Sequence, residues 1–564
     1  ETGMSGRLRQ DRRGFLKTCG AAALLPVTAS CLTGATAGRS AKGRPNIVLI
    51  MADDAGFADF GCYGGIVDTP VIDGLARDGM RFTRAMSNAR CMPTRQSLLT
   101  GLNPQLVDNN QSRIGPNCVT LAEALKGVGY ATYMVGKWHL GLGFRRPDLH
   151  QTPTGRGFDR FYGIWHGAAF PTKPRLLEAA ERSLQQDRHP VRIVEDGREL
   201  QWDEVPEDYY ETFTWTDKAI EMIEGTDRET PVFTYVSYTA PHWPIAPKQE
   251  YVERYKGRYA EGPDILRKKI LENQKREGIF PKDYHLYPRP DWVPGKADME
   301  SHEFDKYQSG TEEYYATITE MDTAIGRLVD CLKRTGRYEN TLVIFLSDNG
   351  ADNLIGGPAR GLTSDTPFRG FKLTYYEGGP ATPFIVRWPG VVPPDTINTG
   401  QEIHLEDVMA TVLEITGASY PENYRGNPIF PHQGRSFLRA VQDPNHNDGP
   451  RIWVWYHDGQ RGVWADPWKA VFNEMRHPAL QSYGFPEALD GWNLYLLDED
   501  RIEVGEMSDT HPEKMKEMIG LWEKWARHVG WQPSPRWSPH PSDEFTGVKE
   551  TLHPADFTPP FGTH

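Results

Sequence analysis

Four short apolar runs constrain this chain more than any other feature, because each stops at polar residues. "NIVLIMADD" at 46–54 ends in Asp53 and Asp54, and "YATYMVGKWHLG" at 130–141 passes through Lys137 and His139. "PVFTYVSYTAPHWP" at 231–244 reaches His242, and "TLVIFLSDNGAD" at 341–352 delivers Asp348 and Asn349. Runs rich in β-branched residues with little polar alternation are strands covered on both faces. Helical segments separate them. Over 311–335, Tyr314, Ile318, Met321, Ile325, Leu328 and Leu332 recur at helical spacing, and Gly336 follows as a stop. The pattern predicts an α/β fold: a large, mostly parallel sheet sandwiched by helices. Ligands of such sheets bind beyond the carboxyl ends of the strands. Any one of these polar endings reads as a cap or a solvated turn; four in one sheet read as a site.

The net charge of −13 excludes non-specific nucleic-acid binding, so positive charge for an anionic ligand must be local. Of six cysteines, Cys19 and Cys31 lie in an N-terminal leader. Cys62, Cys91, Cys118 and Cys331 are too sparse for a disulfide framework, although one bridge is open to them. Residues 1–3, "ETG", read as an expression-vector remnant. Residues 4–37 resemble a twin-arginine export signal, with Arg12–Arg13, an apolar run and "ATA" at 35–37. Thr28 makes Cys31 a poor lipoprotein site. No other stretch reaches membrane-spanning length, so the expectation is a periplasmic or secreted bacterial protein. A catalytic domain is expected over 44–440. Residues 441–564 read as a smaller α+β domain: antiparallel strands, a helix from Pro512 to about Val529, and an extended tail.

The segment "CMPTRQSLLTG" at 91–101 carries the chemistry. Pro93 suits the first position of a helix, which puts Cys91 at a helix N-terminus that attracts anions. Arg95, one turn on, offers a fork for a tetrahedral oxyanion. Asp53, Asp54, Asp348 and Asn349 form an all-oxygen set suited to Ca²⁺ or Mg²⁺ rather than to a thiophilic metal. A thiol nucleophile lacks the local signature of a cysteine protease.

These residues name a family. "CMPTRQSLLTG" resembles the sulfatase signature C-x-P-S/T-R-x-x-L-L-T-G. "GKWHLG" at 136–141, "APHWP" at 240–244, "SDNGAD" at 347–352 and "RGFKLTYYEGG" at 369–379 resemble further motifs of that family, in its usual order, over roughly residues 45–530. Thr94 stands where serine is commoner, and Met92 is bulkier than usual. The likeness is strongest to bacterial arylsulfatases and implies an alkaline-phosphatase-like fold.

The resemblance implies that a modifying enzyme oxidises Cys91 to formylglycine. The hydrated aldehyde carries two hydroxyls: one attacks sulfur, and the second drives the elimination that releases sulfate. It further implies that Asp53, Asp54, Asp348 and Asn349, with residue 91, face a divalent cation, Ca²⁺ or Mg²⁺. Arg95 and Lys137 would stabilise the diol and the metal site. His139 would be the base for elimination, and His242 and Lys372 would hold sulfate oxygens, with His242 the proton donor. The substrate would be a sulfated small molecule or glycan. A phosphonate or phosphate ester hydrolase on the same scaffold, or a catalytically silent binding protein, are the competing readings. The pocket rim is expected within 143–215 and 245–310, with Trp165, His166, Trp202 and Trp243 as subsite candidates and His457 within reach of the cleft.

Overall fold

The structure, a computed structural model, describes residues 43–108, 112–141, 148–486 and 489–532. The leader at 4–37 and the C-terminal tail lie outside the described residues. Ten strands form the main sheet: β1 (Asn46–Asp53), β2 (Met80–Phe82), β3 (Ala131–Lys137), β4 (Arg160–Ile164), β5 (Val194–Glu195), β6 (Arg198–Glu199), β7 (Val232–Pro241), β8 (Thr341–Ser347), β9 (Phe384–Arg387) and β10 (Thr396–Asn398). Their spatial order is β10–β2–β9–β8–β1–β7–β3–β4–β5–β6. The four strands read from the sequence are β1, β3, β7 and β8, and they are neighbours in the order β8–β1–β7–β3, all parallel. Strand β9 runs antiparallel beside β8, and β5 beside β4, so the sheet is mixed at its margins.

Parallel strands need crossovers that cover both faces, and every residue of β1, β7 and β8 is buried. Along β1 the side chains alternate between two cores. Val48 and Ile50 enter one, while Ile47, Leu49 and Met51 enter the other. The long helix α3 (Ser301–Arg334) fills the first core with Tyr314, Ile318, Met321, Ile325, Leu328 and Leu332. Helix α2 (Cys91–Thr100) fills the second with Leu98 and Leu99. Fully burying such side chains stabilises by about 1.5–3 kcal/mol each. Helix α3 starts ten residues before the expected 311. Its first turns are largely exposed, and Gly310 within them sits against the backbone of Gly356, where a β-carbon would not fit. A short helix α1 (Pro70–Arg77) docks its N-terminus on Asp322 of α3, whose carboxylate accepts the N–H groups of Val71 and Ile72.

The C-terminal segment forms an antiparallel sheet of β11 (Ile452–His457), β12 (Gln460–Ala465), β13 (Trp468–Asn473) and β14 (Gly491–Leu496), followed by α4 (Pro512–His528). Its residues join the two cores already described: Trp453 and Trp455 the first, Val454, Val463 and Trp522 the second. Cys62, Cys91, Cys118 and Cys331 are buried free thiols, so the bridge left open by the sequence does not form among the described residues. Among the described residues, no helix is long and apolar enough to cross a membrane.

Candidate active site

The strand order brings the polar endings to one edge. Asp53 closes β1, Lys137 closes β3, His242 follows β7, and Asp348 and Asn349 follow β8. Helix α2 points its N-terminus into this group with Cys91 as its first residue. Pro93 is the third residue of the helix, not the first as expected. That position costs nothing, because the first four N–H groups have no partner within a helix. Gly101 ends α2 with φ of 69°, a left-handed conformation that favours glycine.

The charges interlock. Asp53 Oδ2 accepts from Lys137 Nζ at 2.5 Å and from Arg95 Nη2 at 3.2 Å. Asp54 Oδ1 accepts from Lys372 Nζ at 2.5 Å and from Asn349 Nδ2 at 2.7 Å, and Cys91 Sγ lies 4.0 Å from it. Asp348 takes the Asp54 backbone N–H on Oδ1 at 3.1 Å and Arg95 Nη2 on Oδ2 at 3.0 Å. His242 Nε2 is 3.7 Å from Asp54 Oδ2. Its Nδ1 faces the Trp243 carbonyl, which only accepts, so the neutral ring presents an unprotonated Nε2 to the site.

These neighbours set the protonation states. Burial pushes the Asp53 carboxyl up, but Lys137, His242 and Arg95 outweigh it and hold it well below its usual range. Burial and the Asp53 charge push Asp348 up to about 7. Burial together with Lys137 and Arg95 holds His139 well below its usual value, and burial brings His242 down to about 4. Burial and Asp53 push the Cys91 thiol up. A thiol so held is a poor nucleophile, since the thiolate is the reactive form.

Three buried oxygens in this cluster, Asp53 Oδ1, Asp54 Oδ2 and Asn349 Oδ1, lack a hydrogen-bond partner. Their significance is that they converge: the three side chains that carry these acceptors meet beside residue 91. A hard cation with oxygen ligands fits them, and ligand atoms of Asp53, Asp54, Cys91 and His242 lie within 4.8 Å of one another. The sequence reading placed His242 at this site as a sulfate-binding residue and proton donor; that its ring nitrogen stands among the candidate metal ligands is the part it did not foresee.

His139 sits beside Lys137, Arg95 and His242 with Nδ1 unpartnered, and Gly167 leaves room for its ring, where a β-carbon would collide. Of the subsite candidates, Trp165 and His166 are buried. Trp202 is covered by Arg192, whose guanidinium stacks on it at 4.0 Å. Trp243, next to His242, is 51% exposed. His457 lies 3.3 Å from Asp458 Oδ2, which also pairs with Arg90 at 3.0 Å, so it reaches the site's margin through that aspartate. The sequence reading missed Tyr235 and Ser237, which hold Arg95 Nη1, and Tyr314, whose hydroxyl donates to the Asp54 carbonyl at 2.8 Å. Two polar residues spaced by two within the β7 run were the available signal.

A dense set of carboxylates, an amide oxygen and buried cations around a helix N-terminus is suited to a hard metal ion and to a tetrahedral oxyanion. Residues 45–418 match the model of the sulfatase family. An arylsulfatase of Klebsiella aerogenes is 28% identical over 446 residues, covering 71% of this chain and 92% of its own. A steryl-sulfatase of Rattus norvegicus is 31% identical over 485 residues, covering 76% and 79%. The crystal structure of Ps i-CgsB in complex with k-i-k-neocarrahexaose superposes with a TM-score of 0.62 at 23% identity, over 87% of this chain and 96% of that one. The chain belongs to the sulfatase family and is a hydrolase of sulfate esters.

Proposed function

We propose that hydrolysis proceeds through a formylglycine made from Cys91, beside Ca²⁺ held by Asp53, Asp54, Asp348 and Asn349. The observation that carries this reading is the trio of partnerless buried oxygens next to residue 91. Three carboxylates and an amide favour Ca²⁺ over Mg²⁺, which keeps more of its water. Bound there, the cation would polarise a sulfate oxygen and a hydroxyl of residue 91. The protein's side chains do the rest. Asp348, its carboxyl pushed up to about 7, would take the proton of one hydroxyl of the hydrated residue as that oxygen attacks sulfur in line, and the sulfur–oxygen bond to the alcohol breaks. His242 gives the leaving oxygen a proton, and it can do so only as the imidazolium, a form that a sulfate anion beside Nε2 favours. Lys372 and His242 hold sulfate oxygens, while Arg95 and Lys137 balance the carboxylates. His139, neutral at pH 7, takes the proton of the second hydroxyl. The carbon–oxygen bond then breaks, sulfate leaves and the aldehyde returns.

The substrate class is an aryl or carbohydrate sulfate, with Trp243 as the open aromatic surface beside the site. The leader at 4–37 supports export to the periplasm or beyond, after maturation by a formylglycine-forming enzyme. The test is mass spectrometry of the peptide bearing residue 91, together with rates on para-nitrophenyl sulfate and the matching phosphate and phosphonate esters. The aldehyde and a preference for sulfate are expected, with Cys91→Ala inactive at an unchanged melting temperature. An intact thiol in active protein, or preference for the phosphorus esters by orders of magnitude, overturns the reading.

A further inference from the structure

Lys372 reaches the site from the loop 369–379, and that loop is tied to the C-terminal sheet by a cluster of buried charges. Glu377 Oε1 pairs with Lys469 Nζ of β13 at 2.8 Å, and Glu377 Oε2 with Arg501 Nε at 2.8 Å. Lys469 Nζ also meets Glu503 Oε1 at 3.0 Å, and Glu503 Oε2 accepts the Glu377 backbone N–H at 2.7 Å. The side chains of Glu377, Lys469 and Glu503 are fully buried. At the other end of the loop, Arg369 Nη1 donates to Tyr495 OH of β14 at 2.7 Å and to the Glu503 carbonyl at 2.9 Å. Between these anchors, Tyr375 stacks on Trp455 of β11 with ring centroids 5.6 Å apart. The loop closes on itself through Gly378 N–H to the Arg369 carbonyl at 2.8 Å.

Lys372 sits in the middle of this span and faces the other way. Its N–H goes to the Ala351 carbonyl, just beyond Asp348 and Asn349, and the next N–H, of Leu373, goes to the Ala89 carbonyl, two residues before Cys91. Leu373 has φ of 82°, a conformation that leucine holds only when its surroundings impose it. Well-packed apolar residues would fill the Glu377–Lys469–Glu503 space at least as stably as buried ions. What ions add is a fixed register, because each must meet its partner at hydrogen-bond distance.

We propose that the buried network of Glu377, Lys469, Glu503 and Arg501 makes the C-terminal sheet a positioning element for Lys372. The network does not touch substrate. It sets where the Lys372 ammonium stands relative to Asp54, and its effect on turnover rests on the sulfate-binding role proposed above for Lys372.

The test compares Glu377→Gln in the native chain and in a Lys372→Ala background, with acetylation of individual lysines followed by mass spectrometry. Misplacing a charged group by about 1 Å costs up to about a hundredfold in rate. Accordingly, kcat/KM on para-nitrophenyl sulfate is expected to fall about ten- to a hundredfold in the native background and less than about twofold without Lys372. Lys372 is expected to acetylate faster in Glu377→Gln, while Lys137, held independently by Asp53, keeps its rate. Equal losses in both backgrounds, or Lys372 and Lys137 loosening together, overturn the proposal. If Glu377→Gln does not fold, Glu503→Gln carries the same two measurements. Selective loosening of Lys372 in a protein without sulfatase activity supports the positioning network and refutes the catalytic reading alone.

Discussion

Asp322 gives a prediction that can be worked from the structure with its sign. Its carboxylate is buried on α3 and accepts N–H from Ile72 at 2.8 Å and from Val71 at 3.1 Å, capping α1 from outside. Burial pushes its pKa up from 3.8 to about 7, against the pull of those two N–H groups. Below the unfolded value both states hold the proton and no penalty arises. As pH rises toward 7 the unfolded chain releases it while the folded chain keeps it, so stability falls across that window and stays lower above it. The gap from 3.8 to about 7 corresponds to about 4 kcal/mol, at about 1.4 kcal/mol per pH unit. Asp322→Asn keeps an acceptor for Ile72 N–H and carries no charge. The variant should match the wild type near pH 4 and exceed it by up to about 4 kcal/mol at about pH 8. Urea unfolding of both proteins across that range measures the difference, in which the titration of all other groups cancels. A difference independent of pH, or one that shrinks as pH rises, would refute the reasoning.

Three further outcomes are expected. Chelation should abolish sulfate-ester hydrolysis and lower the melting temperature, and Ca²⁺ should restore both, because Asp53, Asp54 and Asn349 otherwise keep buried oxygens without partners; insensitivity of both readouts to chelator would remove the cation from the site. Tyr314→Phe removes the hydroxyl that stands 2.8 Å from the Asp54 carbonyl and 2.7 Å from Asp59 Oδ2, where its one hydrogen serves one acceptor at a time and Asp59 Oδ2 keeps the Gly56 N–H. It should cost about 1–3 kcal/mol for the acceptor left buried and weaken Ca²⁺ binding measured by calorimetry. Trp243→Ala, at an exposed side chain, should leave the melting temperature within about 1 °C and raise KM for aryl sulfates more than it lowers kcat, as kinetics on a substrate panel would record.

Much of the site was legible because its information is local. Asp53–Asp54, Lys137, His242 and Asp348–Asn349 each end an apolar run, and the end of a run is visible without knowing its neighbours. The same holds for Cys91 and Arg95, which one helical turn relates. Strands of two residues such as β5 and β6 were not legible, since they are too short to show a period. Nor was the true start of α3, where packing against Gly356 overrides the low helix propensity of Gly310.

The sequence by itself determined which chemical groups would stand at strand ends, and through its ordered motifs the family. Only the tertiary structure decided which of those groups meet. Lys372 and Asp54 are 318 positions apart, and Glu377 meets Lys469 of β13 and Arg501 and Glu503 of the segment that follows β14. Tyr235 and Ser237 reach Arg95 because β7 lies between β1 and β3. Periodicity records which face of an element is buried. It carries nothing about strand order, and strand order chooses the partner of every buried charge.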